Sequence, residues 1–102
     1  MATGTKRILS VSFEVFGQVT GVFFRKYTEK TADSLNLVGY VKNTRRDTVV
    51  GVVQGDPDNV NKMKKWLQTE GSPRSRIDKC EFKNEDYIDK LQYPTFSIQR
   101  GS

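Results

Sequence analysis

The sequence predicts an α+β fold in which two helices lie on one face of a mainly antiparallel sheet. The expected order is β-α-β-β-α-β with a short strand after it. Three observations carry this. Leu9, Val11, Phe13 and Val15 alternate with Ser10, Ser12 and Glu14, the period of a half-buried strand. Two later segments carry apolar residues at helical spacing, one after Phe23 and one after Pro57. Between them stand two short β-prone runs joined by the polar turn Thr44-Arg45-Arg46-Asp47, a hairpin pattern.

Taken in order, the first strand runs into Gly17-Gln18-Val19-Thr20-Gly21-Val22, a loop bracketed by glycines. Phe24, Thr28, Thr31, Ala32 and Leu35 then share a face, with Lys26, Glu29, Lys30 and Asp33 largely on another, which predicts a helix from near Phe23 to near Asn36. Val38 to Lys42 and Thr48 to Gln54 read as the hairpin strands. Asp56-Pro57 supplies an N-cap and a first-turn proline, Val60, Met63, Trp66 and Leu67 an apolar face, and Gly71-Ser72-Pro73 a stop. Ile77 to Asn84 reads as a fourth strand. Ile77 is out of phase with Cys80 and Phe82, which calls for a bulge or a shifted start. In the last piece, Gln92 to Gln99, Pro94 points to a late start or an edge position. This is the ferredoxin-like split β-α-β plan, which many unrelated activities share.

The chain of 102 residues suffices for one domain, 1–102, with 1–6 and 101–102 as loose ends. Its net charge of +5, from 17 basic and 12 acidic residues, favours anionic ligands without naming one. One cysteine, Cys80, allows no intrachain disulfide and, with no histidine, no zinc cluster. A single thiol suits a reducing compartment. The N-terminus lacks an apolar leader segment, and no apolar run approaches a membrane span. A cytoplasmic monomer with no membrane partner is expected. Having no histidine also removes the commonest general base near neutral pH and the Ser-His and Cys-His nucleophile pairs. Cys80 is read as a packing residue, Glu14 as a solvent-facing strand residue, and Tyr27 and Tyr40 as packing residues that could also line a site.

The loop Gly17 to Val22 can cradle an anion. Glycine admits conformations in which successive N–H groups point inward, and the following helix adds its free N–H groups and positive dipole end. Arg25, in the first helical turn, can grip a phosphate through two oxygens. Taken alone, this spacing is more often plain loop geometry with a solvated arginine. Asn43, where the second strand meets its turn, is by itself most simply a turn residue. Its carboxamide could also orient a water or a phosphoryl oxygen, because it donates and accepts at fixed geometry.

Read together, Phe16-Gly17-Gln18-Val19-Thr20-Gly21-Val22-Phe23-Phe24-Arg25 and Gly39-Tyr40-Val41-Lys42-Asn43 resemble the two signatures of the acylphosphatase family, in its small stand-alone vertebrate-like form. The likeness continues through Met63, Trp66-Leu67, Gly71-Ser72-Pro73, Ile77-Asp78 and Tyr93 to Phe96-Ser97-Ile98. It implies hydrolysis of acyl phosphates, with Arg25 and Asn43 as the catalytic pair. The phosphate loop would be formed by the backbone of Gly17, Gln18, Val19, Thr20, Gly21 and Val22, with Thr44 as a minor contributor. It implies small acyl phosphates as substrates, inorganic phosphate as product and competitive inhibitor, and no cofactor or metal. Thr20 stands where the family usually has Gln, and Asp47 where it often has Gly. Two other readings compete. An RNA-binding module would share the fold, but the third strand carries no aromatic residue for stacking, and the basic residues sit on separate elements; no nucleic-acid partner is expected. A regulatory domain that binds an anion without turnover would leave Asn43 without a task.

Overall fold

The computed structural model describes residues 7–21 and 23–99. Strand β1 (Ile8–Gln18) leads to helix α1 (Phe24–Ser34), strands β2 (Val38–Asn43) and β3 (Val49–Gly55), helix α2 (Pro57–Thr69), and strands β4 (Arg76–Ile88) and β5 (Phe96–Ile98). The sheet order is β4-β1-β3-β2-β5. Every pairing is antiparallel except β2 with β5. The α+β plan read from the sequence is the one observed.

The alternation in β1 buries Leu9, Val11, Phe13 and Val15 beneath the helices. Register puts Val49 and Val53 of β3 and Val41 of β2 on the same face, where they are fully buried. Helix α1 closes this layer with Phe24, Thr28 and Ala32, and α2 with Val60, Met63 and Leu67. Helix α1 packs over β2 and β5, and α2 over β1, β3 and β4. Trp66 sits less deeply and meets Phe24 across the helix pair, ring centroids 5.7 Å apart.

Asp56 caps α2 through the N–H of Asp58 at 2.9 Å, with Pro57 in the first turn, as its sequence requires. Strand β4 runs four residues past the expected Asn84, through a register shift against β1 between Ser10 and Ser12. A second shift between Phe16 and Gly17 explains the phase of Ile77: it pairs with Gly17 after an extra residue on β4. Strand β5 starts late, two residues after Pro94, and lies at the sheet edge.

The topology brings the carboxyl ends of β1, β2 and β5, the amino ends of β3 and β4, the start of α1 and the end of α2 to one end of the sheet. The loop after Gln18 and the residue Asn43 therefore arrive at the same end, with only β3 between their strands. Two strand spacings correspond to about 10 Å.

Candidate active site

The two glycines of the loop serve different needs. At Gly17 (φ 134°) a side chain would collide with the carbonyl oxygen of Arg76 on β4, so the strands approach closely only because none is there. Gly21 faces open space, but its φ of 70° is left-handed. Between them Val19 is buried, which anchors the loop through its side chain and leaves its backbone free. Among the described residues, the N–H groups of Val19, Thr20 and Gly21 find no acceptor. Helix α1 begins immediately afterwards with no side-chain cap and no acidic residue in its first turn. No side chain of its first turn thus compensates its dipole at the end that adjoins the loop. Val22, also expected in the cradle, lies outside the described residues, as do 1–6 and 101–102.

Arg25 is half-buried at the start of α1, and no carboxylate pairs with it among the described residues. It lines a cavity of about 530 Å³ together with Val19, Gly21, Phe23, Phe24, Lys26 and Ile98. Gln18, Thr20 and Asn43 are not on that wall. The structure thus joins Arg25 directly to the loop, while Asn43 lies off that wall at the same end of the sheet. Register places Asn43 on the helix-covered face, two residues beyond Val41, and Val41 pairs with Ile98 on the cavity wall. The amide oxygen Oδ1 of Asn43 is buried and has no hydrogen-bond partner among the described residues. A buried acceptor without a partner is costly in ordinary packing, at about 1–3 kcal/mol.

Behind Asn43 the hairpin turn is tied to β1. The Glu14 carboxylate accepts from Thr48 Oγ1 at 2.6 Å and from Arg46 Nη2 at 2.7 Å. An ionised carboxylate only accepts, so Thr48 donates to it and Thr44 must donate to Thr48 across their 2.7 Å contact. The oxygen of Thr44 also accepts from the N–H groups of Arg46 and Thr48. The Thr44 hydroxyl is thus committed within the hairpin. Glu14 is a correction to its reading as solvent-facing: it is 8 % exposed although it lies opposite the helices, because the turn folds onto it. Tyr27 and Tyr40 line no part of the cavity. Tyr40 lies on the other sheet face against Tyr93, centroids 5.7 Å apart. Cys80 is half-buried on β4, and burial, reinforced by Glu81, pushes its thiol up to about 12, so it is no nucleophile.

Sequence reasoning missed Ile98, Phe23 and Lys26 as cavity walls. Ile98 gave no local signal, because its position follows from the parallel pairing of β5 with β2. The acylphosphatase family profile matches residues 11–98, which hold the loop, Arg25, Asn43 and Ile98. The chain belongs to the acylphosphatase family. It is 56 % identical over 99 residues to acylphosphatase-2 of Xenopus tropicalis, covering 97 % of this chain and 96 % of that one. It is 54 % identical over 90 residues to acylphosphatase-1 of the same species, covering 88 % and 92 %. These relatives are vertebrate forms of both types. Among solved structures, an acylphosphatase from Coxiella burnetii superposes with a TM-score of 0.82 at 29 % identity, over 95 % of this chain and 100 % of that one. In this member of the acylphosphatase family, Asp47 adopts φ 62° in the hairpin turn, a conformation that glycine takes more readily.

Proposed function

We propose that the loop amides and Arg25 hold the phosphoryl group of an acyl phosphate while Asn43 directs a water at phosphorus. Hydrolysis of the carboxyl–phosphate bond to carboxylate and inorganic phosphate is the activity of the family to which the chain belongs. The assignment of these residues rests above all on the unpaired, buried oxygen of Asn43 at the sheet end that carries the cradle.

The chemistry fits the side chains available. The leaving group is a carboxylate, stable near neutral pH without a proton, so a chain with no histidine lacks nothing essential. The Asn43 oxygen accepts a hydrogen bond from the water and so turns the water's lone pair toward phosphorus. The new bond joins the water oxygen to phosphorus. The bond from phosphorus to the acyl oxygen breaks, and its electron pair leaves with the carboxylate. A substrate phosphate oxygen takes the water's proton. Arg25 and the amides neutralise the equatorial oxygens throughout, and positioning of this kind is the main source of catalysis in phosphoryl transfer. A phosphate monoester, whose alkoxide leaving group needs protonation, should react poorly. Among the described residues no three His, Cys, Asp or Glu side chains cluster to hold a metal ion, and no helix is long and apolar enough to cross a membrane. Loop, Arg25 and Asn43 come from one chain, so a monomer is sufficient. A cytoplasmic setting accords with the single thiol.

The test is hydrolysis of benzoyl phosphate with EDTA present and inorganic phosphate as competitor. Turnover that survives EDTA, with competitive inhibition by phosphate, is the expected result. Turnover abolished by EDTA and restored by a divalent ion would refute the metal-free scheme.

A further inference from the structure

Phe23 breaks two local rules at once. It is a bulky residue in the left-handed region, φ 59° and ψ 23°, at the N-cap of α1. Its side chain accepts nothing, whereas Ser, Thr, Asp or Asn at this position would satisfy a helix N–H. It is also 75 % exposed, the most exposed large hydrophobic residue among those described. No packing gain offsets these costs within the fold. Strain of this kind persists where a site uses it.

The cavity shows what Phe23 serves. Its wall is cationic where Arg25 and Lys26 stand, and apolar where Phe23, Val19 and Ile98 stand. An acyl phosphate has the same two-part character. With the phosphoryl group on Arg25 and the amides, the acyl substituent must extend away from the cradle along the remaining wall. We infer that Phe23, backed by Ile98, is the acyl-side specificity residue, selecting acyl phosphates whose substituent is a planar or extended apolar group over those with a small or polar one. With this left-handed backbone the ring stands on the cavity wall and is largely exposed, whereas Phe24 beside it is buried in the core. One face of the ring is then open for a substituent to stack. This inference rests on the assignment of Arg25 and the loop to the phosphoryl group.

The test compares kcat/KM for benzoyl and acetyl phosphate in the unaltered chain, Phe23→Asn and Phe23→Tyr, with inorganic phosphate as a separate inhibition probe. Asparagine tolerates the left-handed backbone and caps helices well, so this variant keeps the local geometry. The benzoyl-to-acetyl ratio should fall by about three- to ten-fold in Phe23→Asn, the equivalent of one aromatic contact. The fall should come mainly through KM, and Phe23→Tyr should restore it. The inhibition constant for phosphate should move less than the ratio does. Equal changes for both substrates, or an unchanged ratio, would overturn the acyl-side role while leaving hydrolysis by Arg25 and Asn43 intact. Absence of turnover with either substrate in the unaltered chain would instead remove the reading on which the inference stands.

Discussion

Asn43 combines a strand-end position, which the sequence shows, with an unpaired buried amide oxygen, which only packing produces. Asn43→Ala should lower kcat by about 10²–10³-fold, the usual loss for one oriented transition-state contact, while phosphate still inhibits. Steady-state kinetics with phosphate as inhibitor checks this, and unchanged turnover would remove Asn43 from the mechanism. Arg25→Gln should damage both KM and kcat, because in the proposed scheme the guanidinium holds the phosphoryl group in the ground state and holds it more strongly as charge shifts in the transition state. Cys80 gives a prediction in pH. Burial lifts its thiol from the ordinary 9.0 to about 12. Below pH 9 the thiol is neutral in both the folded and the unfolded chain. Above it the unfolded chain loses the proton first, so this group makes stability fall as pH rises from 9 to 12. Urea midpoints for the parent and Cys80→Ala across that range should converge on alkalinisation. Parallel curves would contradict the burial effect. Thr20, the residue that departs from the family's usual Gln, is half-buried on the loop, and a Thr20→Gln exchange is expected to act on loop shape by removing its β-branch.

The hairpin of β2 and β3 shows how much an element depends on a partner that its own sequence does not reveal. Thr44, Arg46 and Thr48 look like an ordinary polar turn. In the fold they converge on Glu14 of β1, and this clamp holds the end of β2, where Asn43 sits. Glu14→Ala would leave the Thr48 hydroxyl without its acceptor. A loss of about 1–3 kcal/mol in urea unfolding is expected. Most of it should come from the buried Thr48 contact, because the Arg46 side chain is 72 % exposed and its ion pair contributes little. Conversion of Arg46 to Ala with a larger loss than Glu14→Ala would reverse that apportionment. The alternation of β1 was legible because one face is apolar. The burial of Glu14 was not, since period-two reasoning assigns a residue to a face but does not say whether a turn covers that face.

Charge behaves similarly for the molecule as a whole. Along the chain the basic residues look dispersed. The topology gathers Arg25 and Lys26 at the start of α1, Arg45 and Arg46 in the β2–β3 turn, Arg74 in the α2–β4 connection and Arg76 at the start of β4 at one end, around the cradle. Of the acidic residues at that end, Glu14 is neutralised by Arg46 and Asp78 by Arg76, while Asp47 and Glu70 form no ion pair among the described residues, so the excess of positive charge there is reduced but not cancelled. Asp33, Asp56, Asp58, Asp86 and Asp89 lie toward the other end. An anionic substrate therefore approaches along a favourable field. The value of kcat/KM should drop as ionic strength rises from about 0.01 to 0.15 M, over which the Debye length shrinks from about 30 to 8 Å. The value of kcat should change little. A salt-independent kcat/KM would show that the field does not aid capture.

The sequence by itself determined the element order, the helix-covered face of β1, the capped start of α2, the break of phase at Ile77 and the glycine loop before Arg25. Each is a local property, written in periodicity, capping chemistry or the conformational needs of glycine. Tertiary structure decided that Ile98 walls the cavity, that Glu14 is buried, that the Thr44 hydroxyl is engaged, and that Asn43 keeps an unpaired oxygen. Those outcomes depend on which strands become neighbours across dozens of residues. Strand pairing is set by the joint burial of the whole sheet, and no local window of the chain contains it.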